Sequence, residues 1–388
     1  MSSWRECKLW DVAEVKGGKR LPKGELLTTE KTPHPYIRIT DFDGHKINLS
    51  AIQYVTEEVQ KSISRYIVNK QDIIISNVGT IGLCAKIPDE LDNANLTENC
   101  IKLVFDKNKI DTNFLYYHLI SPDTQDLING FDVGSTQPKL PIYNIEKIDI
   151  SLPPLEEQKA IAEVLSSLDD KIDLLHRQNQ TLESLAQTLF RQWFIEEAKE
   201  EWEEKPLSKI ADFLNGLACQ KFPPKNDIDK LPVLKIKDLK DGVSENSDYA
   251  TSDVKPEYIV NNGDVIFAWS ASLMVKIWNG DKCVLNQHLF KVISKDYPKW
   301  FYYQWCKYHL DNFIDIASEH ATTMGHIKRS DLDEAICLVP NIDELDKMTE
   351  QFNPIMEKLE INSRQIQTLE NLRDTLLPKL LSGEIILK

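Results

Sequence analysis

Seven cysteines, eight histidines and 61 Asp and Glu residues are the raw material for a metal or catalytic site, and their spacing builds neither. The cysteines (Cys7, Cys84, Cys100, Cys219, Cys283, Cys306 and Cys337) are odd in number and widely separated. No C-x-x-C pair is present to hold zinc or to open a disulfide framework, and the histidines are scattered off metal-ligand spacing. An amino-methyltransferase needs an Asp or Asn before a Pro-Pro-aromatic loop to hold the target amine. Phe222-Pro223-Pro224 and Leu152-Pro153-Pro154 lack it. No G-x-G-x-x-G follows a strand, and no G-x-x-x-x-G-K-[ST] loop exists to cradle a nucleotide. Glu157-Gln158-Lys159 gives the E-x-K half of a nuclease motif, but such triplets arise by chance in a chain with 28% charged residues. The expectation is a non-catalytic chain, with no metal and no cofactor of its own.

What remains is polar contact. Lys19, Arg20 and Lys23 form the clearest basic cluster, and Gly17 and Gly18 beside them allow a backbone to come close to a ligand. The corresponding place later in the chain holds Gln220 and Lys221. Arg38 and Lys235 stand at matched strand positions, with Lys237 two residues on, and an internal ion pair explains them as readily as a ligand. Ser76, Asn77 and Thr80 lie on a turn, where short polar side chains also serve local hydrogen bonding. Trp269, Ser270 and Ser272 take the matching place, and Trp269 suits a core as well as a wedge. A further loop carries Ser135, Thr136, Gln137 and Lys139; opposite it stand Thr322, Thr323, His326, Lys328 and Arg329. Lys and Arg suit phosphates, while Gln and Arg pair bidentately with adenine and guanine edges. The net charge of −15 works against phosphate binding taken alone, so affinity must come from local patches or from basic partners.

These loops need a frame, and the longest pattern in the chain supplies it. From Pro153 to Phe194 apolar residues recur in alternating steps of four and three: Ile161, Leu165, Leu168, Ile172, Leu175, then Leu182, Ala186 and Leu189, with Asn179 the one polar residue on the stripe. This is a coiled-coil seam on a rod of about 60 Å, from roughly 1.5 Å per residue. Its partner runs from Asn341 to Leu381. A shift of 342 − 155 = 187 aligns the two without a gap and puts Met348, Phe352, Ile355, Leu359, Ile366, Leu369 and Leu376 on the seam, with Asn362 and Arg373 as its polar members. Gln180-Thr181-Leu182-Glu183 returns as Gln367-Thr368-Leu369-Glu370. Packing about a pseudo-twofold axis makes the two rods antiparallel. Pro154, Glu156 and Glu157 favour one helix start and Asn341, Asp343 and Glu344 the other. Gly383 should end the second rod, with Pro378 disturbing its last turns.

Residues 1–152 read as a mixed α/β (α+β) region with strands at Tyr36–Thr40, Asp72–Ser76, Leu96–Phe105 and Ile145–Leu152, and a short aromatic helix at Asn113–Ile120. Residues 198–340 repeat that plan with different loops. The order is therefore globular region (1–152), helix (153–197), globular region (198–340), helix (341–388). The start is not a signal peptide and no run approaches 18 apolar residues, so the expectation is a cytoplasmic protein with no membrane contact.

Over essentially its full length the chain resembles the specificity subunit of type I restriction–modification systems. The resemblance rests on Leu152-Pro153-Pro154-Leu155-Glu156-Glu157-Gln158 ahead of the central rod, the repeated QTLE…TL segment, and the ending Leu376–Ile385. Tyr36-Ile37-Arg38 and Gly79-Thr80-Ile81-Gly82 contribute the first region's strand and turn. The second region departs at its turn, Trp269-Ser270-Ala271-Ser272-Leu273, which lacks glycine. The resemblance implies two target recognition domains, each reading half of a split double-stranded DNA site, on an antiparallel coiled coil that sets their spacing. It implies two adenine-N6 methyltransferase subunits as partners, with endonuclease/translocase subunits joining them. S-adenosylmethionine, ATP and magnesium belong to those partners. The competing reading is a protein-assembly scaffold without sequence-specific DNA recognition, which explains the rods but not the duplicated, loop-divergent regions.

Overall fold

The computed structural model describes residues 4–133, 137–244, 246–319 and 325–387. The chain divides into two compact units, residues 1–171 with 369–388, and residues 172–368.

Each unit holds the same three sheets, and the first adds a short hairpin, Phe42–Asp43 with Lys46–Ile47. In the first, the opening strand Arg5–Lys8 pairs with Asp149–Leu152, the strand just before the central helix. One four-stranded sheet has the order Ala13–Gly17, Cys100–Phe105, Ile73–Ser76, Cys84–Lys86. The other has the order Gln53–Tyr54, Pro35–Ile37, Ala94–Leu96, Ile67–Val68. In the second unit Glu203–Pro206 pairs with Ile336–Val339, and the sheet orders repeat. They are Asp212–Asn215, Leu289–Ile293, Val265–Ala268, Met274–Ile277, and Tyr249–Thr251, Lys230–Leu234, Cys283–Leu285, Ile259–Val260. One pairing in each is parallel: Pro35–Ile37 with Ala94–Leu96, and Lys230–Leu234 with Cys283–Leu285. The run Ile73-Ile74-Ile75 is apolar without alternation because both faces are covered. Ile73 and Ile75 enter one core, Ile74 another. Val265 and Phe267 against Ile266 and Ala268 do the same.

Three expected strands are shorter than their apolar runs. Tyr36–Thr40 ends at Ile37, because the Arg38 amide is capped by Asp41 and the chain turns into a 3-10 helix. Leu96–Phe105 is two strands, Ala94–Leu96 and Cys100–Phe105, split by the polar turn Thr97-Glu98-Asn99. Ile145–Leu152 is a strand only from Asp149, since Pro141 starts a short helix over Ile142–Ile145.

The central helix spans Leu155–Arg191 and closes in a π-helical turn, Gln192–Glu196; the C-terminal helix spans Ile342–Leu381. Within the second unit they run antiparallel. Asn362 Nδ2 donates to Asn179 Oδ1 at 3.0 Å, while Trp193, further along the central helix, lies 6.1 Å from Phe352, further back on its partner. Within the first, Arg373 Nη1 donates to Asp169 Oδ1 at 2.9 Å. Of the expected seam residues, Ile161, Leu165, Ile172, Leu175, Ala186, Phe352, Ile355, Asn362 and Ile366 are buried, and Leu168, Asn179, Leu182, Leu189, Met348, Leu359, Leu369, Arg373 and Leu376 half-buried. Pro378 does not break the last turns. The helix continues through it, and through exposed Pro354, because buried Leu377 and Leu380 anchor the end where an isolated helix would kink. Gly383, at φ +71°, ends it. A matched clasp fixes each helix start: Trp4 Nε1 donates to Glu157 Oε2 at 3.1 Å, and Trp202 Nε1 to Glu344 Oε2 at 2.8 Å. Among the described residues no helix is long and apolar enough to cross a membrane.

Candidate nucleic-acid interface

A single backbone frame gathers the expected polar loops in each unit. In the first, Gly18 N donates to Cys100 O at 2.9 Å and Lys19 N to Leu96 O at 2.8 Å, so the glycine loop lies against the turn Thr97–Asn99. That turn is held by Thr97 N to Ile37 O (3.1 Å) and Cys100 N to Thr97 O (3.2 Å). Asn77 N then reaches Asn99 O at 2.9 Å, Leu140 N reaches Asn77 O at 2.9 Å, and Gly79 N reaches Pro138 O at 2.9 Å. The second unit repeats all seven. They are Gly216 N to Leu289 O (3.1 Å), Leu217 N to Leu285 O (2.9 Å), Asn286 N to Leu234 O (3.3 Å), Leu289 N to Asn286 O (3.0 Å), Trp269 N to His288 O (3.4 Å), Ile327 N to Trp269 O (3.1 Å) and Ala271 N to Gly325 O (2.9 Å). A side chain at either loop glycine would collide with the turn. A Cβ on Gly18 would sit 1.9 Å from Thr97 O, and one on Gly216 2.2 Å from Asn286 O.

The frame encloses a cleft in each unit. The first, of about 400 Å³, is lined by Arg20, Leu21, Tyr36, Arg38, Ile39, Thr40 and the turn Thr97–Asn99. Its cations are already partnered. Arg20 Nε meets Glu98 Oε1 at 2.5 Å, which raises the Arg20 pKa above the ordinary arginine value. Arg38 grips buried Asp41 through Nε and Nη2 and Gln53 through Nη1, the internal ion pair that competed with the ligand reading. Lys19 lies over the Tyr66 ring, 5.7 Å from its centroid, and Gly17, Lys23 and Thr80 are exposed. Ser76 is buried, and its Oγ accepts from Leu83 N at 2.9 Å, so it holds the turn. Asn77 Oδ1 is buried without a hydrogen-bond partner. Gln137 and Lys139 are exposed beside that turn, with Lys139 bridged to Val78.

The second cleft, of about 650 Å³, is lined by Cys219, Gln220, Pro223, Val233, Lys235, Ile236, Lys237, Asp248, Tyr249 and the turn Asn286–His288. Lys235 pairs with Asp248. Burial pushes the Cys219 thiol up to about 11, keeping it protonated and unreactive at neutral pH. Trp269 is half-buried, stacked 5.6 Å from Phe290 and bonded through Nε1 to Asn215 Oδ1 at 3.2 Å, so it packs on the sheet yet faces the rim. Ser270 Oγ lies 3.2 Å from His288 Nδ1, and exposed His326 lies across Trp269. Lys221 and Ser272 are exposed outside the cleft. Arg329 Nη2 donates to Phe213 O at 3.2 Å and its guanidinium lies 5.9 Å from the Phe290 ring, while Lys328 N donates to Asp331 Oδ2 at 2.7 Å at the start of the helix Arg329–Glu334. Ser135, Thr136, Thr322 and Thr323 lie outside the described residues. Among those described, no group of three or more His, Cys, Asp or Glu side chains is placed to hold a metal ion.

The sequence profile of the type I restriction modification DNA specificity domain matches residues 1–184 and again residues 199–371. The chain belongs to that family. A type I restriction enzyme specificity subunit of Methanocaldococcus jannaschii (MjaIX) is 27% identical over 98% of this chain and 93% of its own length. One from Haemophilus influenzae (HindI) is 29% identical over 33% of this chain and 29% of its own. The crystal structure of the type I restriction–modification S subunit from M. genitalium shares the fold, with a TM-score of 0.62 at 16% identity, covering 98% of this chain and 96% of that one.

Within this family member, sequence reasoning missed the turns Thr97–Asn99 and Asn286–His288 and the role of Gly216. The signal was present. Leu96-Thr-Glu-Asn-Cys-Ile-Lys102 and Leu285-Asn-Gln-His-Leu-Phe-Lys291 each carry three polar residues between apolar ones, and such a break in an apolar run marks a turn.

Proposed function

We propose that this chain is the DNA-specificity subunit of a type I restriction–modification complex, with each globular region reading one half of a bipartite, asymmetric site. The observation that carries the reading is the seven-bond frame repeated in both units with different side chains on it, within a chain matched twice by the family profile. A reader of one continuous site has no need of two such frames. The paired helices set the separation of the half-sites, and both readers meet one side of B-DNA when the half-sites are about one helical turn, roughly 10 bp, apart. Two adenine-N6 methyltransferase subunits dock on this chain, and endonuclease/translocase subunits join them. Catalysis, S-adenosylmethionine, ATP and magnesium belong to those partners. The cations in the two clefts are largely neutralised by carboxylates and the chain carries −15 overall, so basic partners supply much of the phosphate affinity. The complex acts in the cytoplasm, where its DNA is.

Single-molecule sequencing of adenine methylation in cells carrying the methyltransferase partner, with and without this chain, tests the reading. A split motif that appears only with the chain is expected. A short continuous motif indifferent to its deletion would leave the chain as an assembly scaffold.

A further inference from the structure

The turns Thr97-Glu98-Asn99 and Asn286-Gln287-His288 stand at the same point of the repeated frame, each on the floor of its cleft. Their burial matches position by position. Thr97 and Asn286 are buried, and the two residues after each are half-buried and face the cleft. Three matched backbone bonds fix each turn, and a loop glycine presses against its first carbonyl. The side chains nevertheless differ in hydrogen-bonding chemistry. Glu98 can only accept hydrogen bonds, whereas Gln287 both donates and accepts. Constant backbone placement with divergent hydrogen-bonding groups is the arrangement a sequence reader requires, because it changes the message without moving the pen.

We propose that Glu98 with Asn99, and Gln287 with His288, are specificity-determining residues, each pair choosing bases in its own half-site. This rests on the reading of the chain as a specificity subunit. In the first turn the Glu98 carboxylate, with Arg20 Nε 2.5 Å away, sets an acceptor beside a guanidinium. That couple suits a C·G pair, the carboxylate taking the cytosine N4 amine and the guanidinium the guanine O6 and N7. In the second, Asn286 Nδ2 donates to Gln287 Oε1 at 3.3 Å and Asn286 Oδ1 accepts from His288 N at 3.2 Å. Asn286 thereby orients an amide suited to the N6 and N7 edge of adenine. His288 is steadied by Ser270 Oγ at 3.2 Å and by the Trp269 ring at 6.0 Å.

The test uses the full chain assembled with its methyltransferase partner on a plasmid library with randomised half-sites, reading adenine methylation. Glu98→Gln and Gln287→Glu are near-isosteric exchanges at half-exposed positions; Asn99→Asp and His288→Asn are run beside them so that one misfolded variant does not decide the matter. Glu98→Gln is expected to shift base preference at a position of one half by roughly 10- to 100-fold and to leave the other half alone, and Gln287→Glu to do the reverse. An unchanged motif in all four variants, a change in both halves from one substitution, or an assembled complex that methylates no library member would overturn the proposal. If the parent chain itself directs no split motif, the specificity reading has failed first. If the parent does and only the variants are silent, this inference alone has failed.

Discussion

The two globular regions share a frame but meet their helices by different means. In the first, an aliphatic core that takes in Ile161, Leu165, Leu377 and Leu380 is supplemented by charge: Tyr117 Oη donates to Asp169 Oδ2 at 2.7 Å, and Arg373 reaches the other carboxylate oxygen at 2.9 Å. Burial and the Asp169 carboxylate push the Tyr117 hydroxyl pKa upward. In the second, the contact is chiefly aromatic, with the ion pairs Lys299–Glu360 and Lys307–Glu183 beside it. Trp300 stacks on Phe352 at 4.5 Å, with Phe194 and Trp305 packed beside them, and Trp300 Nε1 donates to Thr349 Oγ1 at 2.9 Å. The difference teaches that duplication preserved the apolar packing of the junction while the contacts that supplement it diverged. An ion pair asks for orientation and yields to salt, while an aromatic stack asks for volume and does not.

The largest break in that comparison is expected from Phe352→Ala, which opens the aromatic junction and costs about 3–5 kcal/mol of stability in the second unit, read by denaturant unfolding followed through tryptophan fluorescence. Next comes Gly18→Ala or Gly216→Ala. Each forces the loop off its turn at about 2–3 kcal/mol and should lower methylation of the whole site while relaxing base discrimination in one half only. Arg373→Met should cost about 1–2 kcal/mol, reduced from the fully buried case because both partners keep partial solvent access. That cost should shrink in high salt, where the Phe352 effect stays fixed. The turns after Ser76 and Ala268 give an effect of opposite sign. Gly79 sits at φ +87° and Ala271 at φ +57°, so Gly79→Ala should destabilise by about 1 kcal/mol and Ala271→Gly should stabilise by a similar or smaller amount, measured by thermal shift.

The subtlest check asks where the repeats must agree. His118 Nε2 lies 2.8 Å from Asp149 O and His309 Nε2 2.9 Å from Ile336 O, and burial lowers both pKa values. The unfolded chain therefore takes up more protons as pH falls through about 6.5, so stability is lost below that point and is insensitive to these groups above it. Replacing both with glutamine should flatten the acid limb of a stability-against-pH curve. An unchanged limb would assign the loss to other groups.

The rods were legible because Ile161, Leu165 and Ile172, and their counterparts Met348, Phe352 and Leu359 187 residues on, repeat one steric rule over many turns. The Ile73–Ile75 run was legible for a related reason, since a strand covered on both faces has no polar side to show. The cleft was half legible. Gly17, Gly18 and the basic residues after them marked the loop, but both arginines are paired: Arg38 with Asp41 three residues on, and Arg20 with Glu98, which becomes its neighbour only through folding. The turn at Thr97 was hidden because β-propensity on both sides of it outweighed three polar residues. Ala271 concealed its own turn, adopting the left-handed backbone of Gly79 without the residue that announces it.

In each repeat the first strand of the globular region is hydrogen-bonded to its last, Arg5–Lys8 to Asp149–Leu152 and Glu203–Pro206 to Ile336–Val339. A polypeptide loop whose entry and exit are zipped together behaves as a removable cartridge. A segment cut out between those paired strands would carry the whole globular region with it and leave the same two ends on the remaining chain, so the region can be exchanged without altering the helix that follows.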